Sequence, residues 1–406
     1  MFRPEVLSPA GDKERLQAAL MFGADAVYLG GDAFTMRAAP QNFTADALAE
    51  AVEQCHAKGV KVYLTVNTLP RNDEIVLLPS YLEKWDEAGV DGFIVADIGV
   101  LSLCKKYAPR LPVHISTQAG IVNYVTANEF YNMGASRIVT ARELSLTEIA
   151  EIRAKTPKEL EIECFVHGAM CVSFSGRCLL SNYLVNRDAN RGECAQPCRW
   201  EYALMEVKRD GMYFPINDSK EGTYILNSKD MCMIEHIPDL VNAGINSFKI
   251  EGRAKSAYYA AVITNAYRAA VDEFMKNPSP DFKTPQWIVE ECYKVSYRDY
   301  CTGFYYGHPN ENAQISFEGG YIRHYDVMAE VTKCEGGYIF CIQRNKFYKG
   351  DELDALEPGK KPQIFKADEI YDLDGNELLD LPHPMMQFKI KSDLELVPGT
   401  LLRKAK

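Results

Sequence analysis

The chain has 406 residues, 47% of them hydrophobic, 11% aromatic and 25% charged, enough apolar residues to bury a sizeable core spread over more than one ordinary domain. That composition excludes a disordered, collagenous or low-complexity chain, and a formal net charge of −11 excludes a globally basic nucleic-acid binder while leaving room for a local basic patch. Twelve cysteines behind a start (MFRPEVLSPAGDKE) with no basic segment and apolar core point to reduced thiols in the cytoplasm rather than a disulfide framework, and no run of about 18 apolar residues suggests a membrane span.

Over the first 255 residues, short apolar or β-branched runs alternate with segments of helical period. Strands are predicted at Glu5–Leu7, Ala26–Leu29, Lys61–Val66, Gly92–Ala96, Val113–Ser116, Arg137–Thr140, Leu160–Val166 and Ser247–Ile250. Between them, Asp12–Phe22 places Leu16, Ala19 and Leu20 on one face, and Thr44–His56 starts on a Thr N-cap and groups Leu48, Ala51 and Val52. Gly23, Gly59, Gly89, Gly134 and Gly244 stand where left-handed C-caps would end such helices. Eight β–α units of this length predict a (β/α)8 TIM-like barrel over residues 1–276, an α/β fold. A doubly wound sheet would prefer a glycine-rich turn after its first strand, and Ser8-Pro9-Ala10-Gly11 is not a dinucleotide fingerprint.

One joint breaks the rhythm, with about 80 residues (about 167–246) between the seventh and eighth strands. In a barrel such an insertion emerges at the C-terminal mouth, where active sites sit. A long helix, Ala257–Lys276, closes the barrel, and a helical connector over 277–311 carries a second helix at Pro285–Lys294. From residue 312 to 406 the texture is that of a small all-β barrel, with strands at Val327–Thr332, Tyr338–Gln343, Glu369–Tyr371, Gln387–Ile390 and Leu401–Leu402. Hairpin turns are marked by Gly336-Gly337 and Asp374-Gly375.

Cys164, Cys171, Cys178, Cys194 and Cys198 crowd into one stretch, with Cys232 shortly after. From Cys171 the spacing is Cys-x6-Cys-x15-Cys-x3-Cys, with Gly168, Ala169, Ser173, Ser175 and Gly176 around the thiols. Small residues let the backbone approach an inorganic centre and aim N–H groups at its sulfurs. Burial as small hydrophobes suits Cys55, Cys104, Cys292, Cys301, Cys334 and Cys341, scattered on apolar faces, better than it suits this loop. A zinc site would favour two to four residues between paired cysteines, which only Cys194 and Cys198 meet. An iron–sulfur cluster and a structural zinc both remain open on spacing alone. The ligands expected are Cys171, Cys178, Cys194 and Cys198, with Cys232 in reserve.

The run ECFVHGAMC from Glu163 to Cys171, continued by SGRCLLS from Ser175 to Ser181, resembles the signature of the collagenase-like peptidases, family thirty-two of the unassigned peptidases. PEVLSPAG, HISTQA, ARELSL, NSKDMC and SFKIEGR with Lys255 are similar to further landmarks of that family, so the likeness covers the barrel and extends to the C-terminal module. Within it, the N-terminus, the ARELS turn, the RDxNxGxC loop and the closing β module resemble a branch that hydroxylates the tRNA wobble uridine. That resemblance implies a 4Fe-4S cluster, prephenate as co-substrate, a tRNA anticodon arm as partner and 5-hydroxyuridine as product.

The rival functions are a collagenase-like endopeptidase and a non-catalytic iron–sulfur partner protein. Against the first, no HExxH and no Gly-x-Ser-x-Gly is present, and a cysteine protease has no use for four clustered thiols. Strand C-termini point into a barrel's bowl, which draws attention to Arg142 and Glu143 after the sixth strand and to Glu251 and Arg253 after the eighth. Prephenate is a dicarboxylate, so Arg142, Arg253 and Arg177, with Arg37 after the second strand, are candidates to hold it, against the alternative of an Arg–Glu network bracing the loops.

His167 and Glu251 are the candidate acid–base groups, a packing role being the alternative for His167. Ser116, Thr117, Gln118, Asn67, Asp97 and Lys255 could line a substrate pocket, whereas His114 reads as a core histidine. For RNA, Arg187, Arg191 and Arg199, with Arg344, Lys346, Lys349, Lys360 and Lys361 in the β module, could form a basic rim, the plainer reading being a solvated face.

Overall fold

The computed structural model describes residues 2–36, 42–171, 173–174, 177–187, 189, 193–200, 204–205, 213–214, 228–308 and 321–406. Eight parallel strands form the expected barrel: β1 (Glu5–Pro9), β2 (Ala26–Gly30), β3 (Lys61–Val66), β4 (Gly92–Val95), β5 (Val113–Ile115), β6 (Arg137–Val139), β7 (Glu161–Ala169) and β8 (Ser247–Ile250). Each pairs with the next in sequence, and β8 pairs with both β7 and β1, which closes the ring. The strands are buried on both faces, which is why they read as short continuous apolar runs rather than alternating ones.

Helices return the chain between strands: α1 (Lys13–Met21), α2 (Ala45–His56), α3 (Leu78–Glu87), α4 (Ile98–Tyr107), α5 (Tyr124–Asn132), α6 (Leu146–Ala154), α7 (Ile237–Asn242) and α8 (Ala257–Lys276). Asp12, Thr44, Asp97, Asn123, Ser145 and Ser256 each cap a helix through a side-chain oxygen that accepts a backbone N–H, satisfying a donor the helix cannot. The face α2 turns to the barrel is Leu48, Ala51, Val52 and Cys55, one stripe at helical spacing, and α4 buries Cys104 in the same way. These two cysteines are core residues.

The barrel's interior is charged rather than purely branched and apolar. Arg137 on β6 donates to Glu5 on β1 (2.7 Å), to Glu161 (2.8 Å) and to Glu163 (3.0 Å), and Lys249 on β8 donates to the second oxygen of Glu163 at 2.6 Å. Glu163 is fully buried, so its carboxylate depends on these two cations for the solvation that water would have given. Tyr63 and Ser247 also donate to Glu5.

The insertion leaves the barrel where β7 overruns its expected end by three residues, to Ala169. A short strand, Asp230–Cys232, returns and pairs antiparallel with that overhang, matching Asp230 to Ala169 and Cys232 to His167. Strand Tyr300–Cys301 of the connector then pairs with Asp230–Cys232. Neither short strand was predicted, since two or three residues carry no period and their partners are remote in sequence. The C-terminal module is a seven-stranded antiparallel sheet around its own core of Phe347, Phe388, Ile390 and Leu402. It contains two strands missed in the sequence, Glu352–Leu356 and Gln363–Lys366. Gly336 and Gly337 both take positive φ (61° and 77°), as the two-residue hairpin turn requires. Arg403, fully buried and paired with Asp354 of the neighbouring strand (2.6 Å), ties this sheet to the connector through Glu291 (2.7 Å). Among the described residues no helix is long and apolar enough to cross a membrane.

Candidate functional site at the barrel mouth

A cavity of about 1170 Å³ opens at the C-terminal ends of the strands. Its floor is the top of the barrel interior, where Lys249 lies over the rings of Tyr28 (4.6 Å) and Phe165 (5.4 Å). Its walls are the loops after β2, β3 and β5 to β8, the insertion, and residues of the C-terminal module between Tyr321 and Val327. Of the expected site residues, Ser116, Gln118, Arg142, Glu251, Arg253 and Lys255 line it. So do Cys171, Cys178, Cys194 and Cys198, all four. Among the described residues six cations line it (Arg142, Arg187, Lys249, Arg253, Lys255 and Arg323) against three acids (Glu193, Glu251 and Asp326), an excess of positive charge in an acidic chain.

The cations differ in how far they are committed. Arg253 is buried, and its guanidinium donates to Thr35 (2.8 Å), Thr65 (3.1 Å) and Asn42 (2.8 Å), a neutral cradle bracing the loop after β2. Gly30 makes room for it, because a Cβ there would stand 2.4 Å from the Arg253 Nη2. Arg142 stacks its guanidinium on Phe165 at 3.8 Å, donates to the Ala169 carbonyl at 2.8 Å and faces Glu251 at 3.5 Å. Its Nε is buried without a hydrogen-bond partner. Gly168, at φ 110°, lets the end of β7 pass the loop after β8, since a Cβ there would stand 2.4 Å from the Glu251 carbonyl oxygen. Gln118 accepts from Asn67 (2.6 Å) and Ser116 (2.9 Å), which fixes its amide nitrogen as a donor.

The four lining thiols come from the segment that follows β7, and the backbone N–H of Gln196 donates to Cys194 Sγ at 3.4 Å. Cys164, in the same sequence stretch, is buried beside Thr140, and burial pushes its thiol up to about 12. It is a core residue.

Several expected residues stand elsewhere. His167 and Cys232 do not line the cavity; the His167 ring is boxed in behind the wall by Tyr259, Tyr267 and Tyr300. There the metal-ligating atoms of His167, Cys232 and Cys292 lie within 4.8 Å of one another. Burial pushes the Cys232 thiol up, but its hydrogen bond with Cys292 and the neighbouring imidazole more than offset that and hold it well below the usual thiol value. Cys292 is held well above by the same hydrogen bond and by burial. Cys292 stands on an apolar face in the sequence, sixty positions from Cys232, and no local pattern pairs the two. Glu143 and Arg177 are absent from the lining as well. Arg37 and Arg191 fall outside the described residues, as does the side chain of Arg199. Lys249 was missed, although a Lys and a Glu inside the strands SFKI and EIEC are the mark of a charged interior.

In the β module four of the five expected rim cations are neutralised in place: Arg344 pairs with Glu330 (2.8 Å), Lys346 with Asp380 (3.0 Å), Lys349 with Glu377 and Lys360 with Glu357 (3.1 Å), and among the described residues Lys361 alone of the five lacks an ion pair. Exposed pairs of this kind contribute little stability, but they leave little free charge for a polyanion.

A closed (β/α)8 barrel with a polar, cationic cavity at the strand C-termini defines a TIM-type barrel protein with a ligand-binding mouth. The chain belongs to peptidase family U32, whose profile matches residues 11–315, and the C-terminal domain of that family matches residues 323–403. Similar proteins include the tRNA hydroxylation protein P1 of Bacillus subtilis, 37% identical over 407 residues and covering 100% of this chain and 95% of that one. The collagenase of Porphyromonas gingivalis is 32% identical over 379 residues (90% of this chain, 89% of that one). The 23S rRNA 5-hydroxycytidine C2501 synthase of Escherichia coli is 38% identical over 274 residues, 68% of this chain and 40% of that one.

Proposed function

We propose that this protein is an RNA-modifying enzyme that hydroxylates a tRNA uridine at C5, at the wobble position of the anticodon, with prephenate as co-substrate and a 4Fe-4S cluster bound at the barrel mouth. The observation that carries the reading is the convergence of Cys171, Cys178, Cys194 and Cys198 on one cavity with an excess of cationic side chains. The relatives named for hydroxylation of tRNA and of an rRNA pyrimidine support the same chemistry.

The donor set fits a cluster: four thiols, small neighbours, and a backbone N–H directed at one sulfur. Among the described residues these thiols do not close to within 4.8 Å of one another in threes, so they do not form a preformed cage for a single ion. A cluster held there would supply electron transfer beside the substrate. The chain's own residues do the rest. Arg142 offers a guanidinium on the cavity wall, beside Glu251, to a carboxylate of the co-substrate. Lys249, anchored by Glu163, sets positive charge at the floor. Glu251, beside Arg142, is the carboxylate placed to hold or pass a proton. A uridine turned out of the anticodon loop would enter the bowl in the manner of other base-modifying enzymes.

An endopeptidase needs a nucleophile that a peptide can reach. Cys232, the thiol beside an imidazole, stands behind the wall and not on the cavity. Protein purified without oxygen is expected to be brown with about four irons per chain. Colourless protein holding one zinc, or peptide cleavage that survives removal of the iron, contradicts the reading.

A further inference from the structure

We propose that the wall where the barrel meets the C-terminal module is a phosphate site, and that it grips a backbone phosphodiester of the RNA next to the nucleotide entering the bowl. The inference rests on the RNA-modifying reading above. Two cations from separate parts of the chain converge there. Lys255, in the loop between β8 and α8, donates to the Ser296 carbonyl at 3.2 Å, and Arg323, at the entry to the C-terminal module, donates through Nε to the Ser296 hydroxyl at 3.3 Å. Lys255 Nζ also stands 3.9 Å from the centre of the Tyr321 ring. All four residues line the cavity.

Their charge balance favours an anion. Among the described residues neither Lys255 nor Arg323 has a carboxylate within 4.0 Å, whereas Arg344, Lys346, Lys349, Lys360 and Lys391 of the β module each have one. The Nε bond of Arg323 leaves both terminal nitrogens of an exposed guanidinium for a bidentate anion. Burial lowers the pKa of Lys255, an ammonium short of solvent that an anion would stabilise. The loop after the last strand, running into the following helix, is also where barrels commonly bind phosphate. Arg15 of α1 donates to the Lys255 carbonyl and fixes that loop in advance.

The position selects the ligand. Lys249 and Arg142 lie deeper, tied to Glu163 and to Ala169 with Glu251, and suit a small acid on the floor. Arg323 and Tyr321 are exposed at the rim, where a polymer crosses the mouth.

The test is a salt series of binding titrations of the intact protein with a labelled, unmodified anticodon stem-loop RNA. Arg323→Ala, Lys255→Met and the double variant are measured beside wild type, with iron content and thermal melts as checks on the fold. The plot of log affinity against log salt is expected to flatten by about 0.7 per lost single-strand phosphate contact. Prephenate binding and iron content should not change, and Lys255→Arg should keep the wild-type slope. A double variant with the wild-type slope overturns the inference, as does loss of prephenate binding with RNA binding intact, which would assign the wall to a carboxylate. If wild type itself binds no RNA, it is the RNA-modifying reading that fails.

Discussion

Arg142 shows how a single residue can be both built into the scaffold and open to a ligand. Its guanidinium stacks on Phe165 at 3.8 Å with one terminal nitrogen on the Ala169 carbonyl, while the other faces Glu251 across the cavity wall at 3.5 Å. Arg253, which sequence position alone ranks as its equal, commits both terminal nitrogens to Thr35, Thr65 and Asn42. Arg142→Ala is therefore expected to weaken prephenate binding by about 2–5 kcal/mol, the cost of leaving a partly buried carboxylate without its charge partner. Iron content should stay at the wild-type level. Calorimetric titration of the purified variant checks this, and unchanged affinity would remove Arg142 from the site.

At the scale of the strands, the charged interior makes stability depend on pH. His114 on β5 is buried with Nδ1 unpartnered, edge-on to Tyr63 at 4.5 Å. Burial, with the positive charges of Arg137, Lys249 and Lys61, holds its pKa well below the ordinary 6.5. The unfolded chain thus takes up a proton near pH 6.5 that the folded one refuses, so folding stability is full above that value and falls as the pH drops below it. The expected slope is up to about 1.4 kcal/mol per pH unit from this group. Denaturant melts of wild type and His114→Gln over that range should converge toward acid, and parallel curves would contradict the assignment.

The elements also show what sequence could reveal. Strands buried on both faces leave continuous apolar runs, and helix caps such as Thr44 and Ser145 mark the returns, so the barrel was legible strand by strand. The strand Asp230–Cys232 was not, because its existence depends on the overhang of β7 rather than on its own residues.

For the whole molecule, the barrel supplies the floor, the insertion supplies the thiols and the C-terminal module closes one wall, with buried Arg403 bonded to Glu291 and Asp354 holding the sheet against the connector. The cysteine spacing pointed to the mouth because an insertion after β7 has nowhere else to emerge. The converse pairing of Cys232 with Cys292 and His167 depends on the connector's return path, which no local pattern encodes. The role of Arg323 was hidden for a similar reason: it acts only once two domains meet.

The most direct test of the central claim is mass spectrometry of tRNA nucleosides from cells lacking this protein, complemented with wild type or with Cys178→Ala. The account predicts that 5-hydroxyuridine and the nucleosides made from it disappear on deletion, return with wild type and stay absent with the variant. Unchanged nucleosides in the deletion, or full restoration by Cys178→Ala, would contradict it.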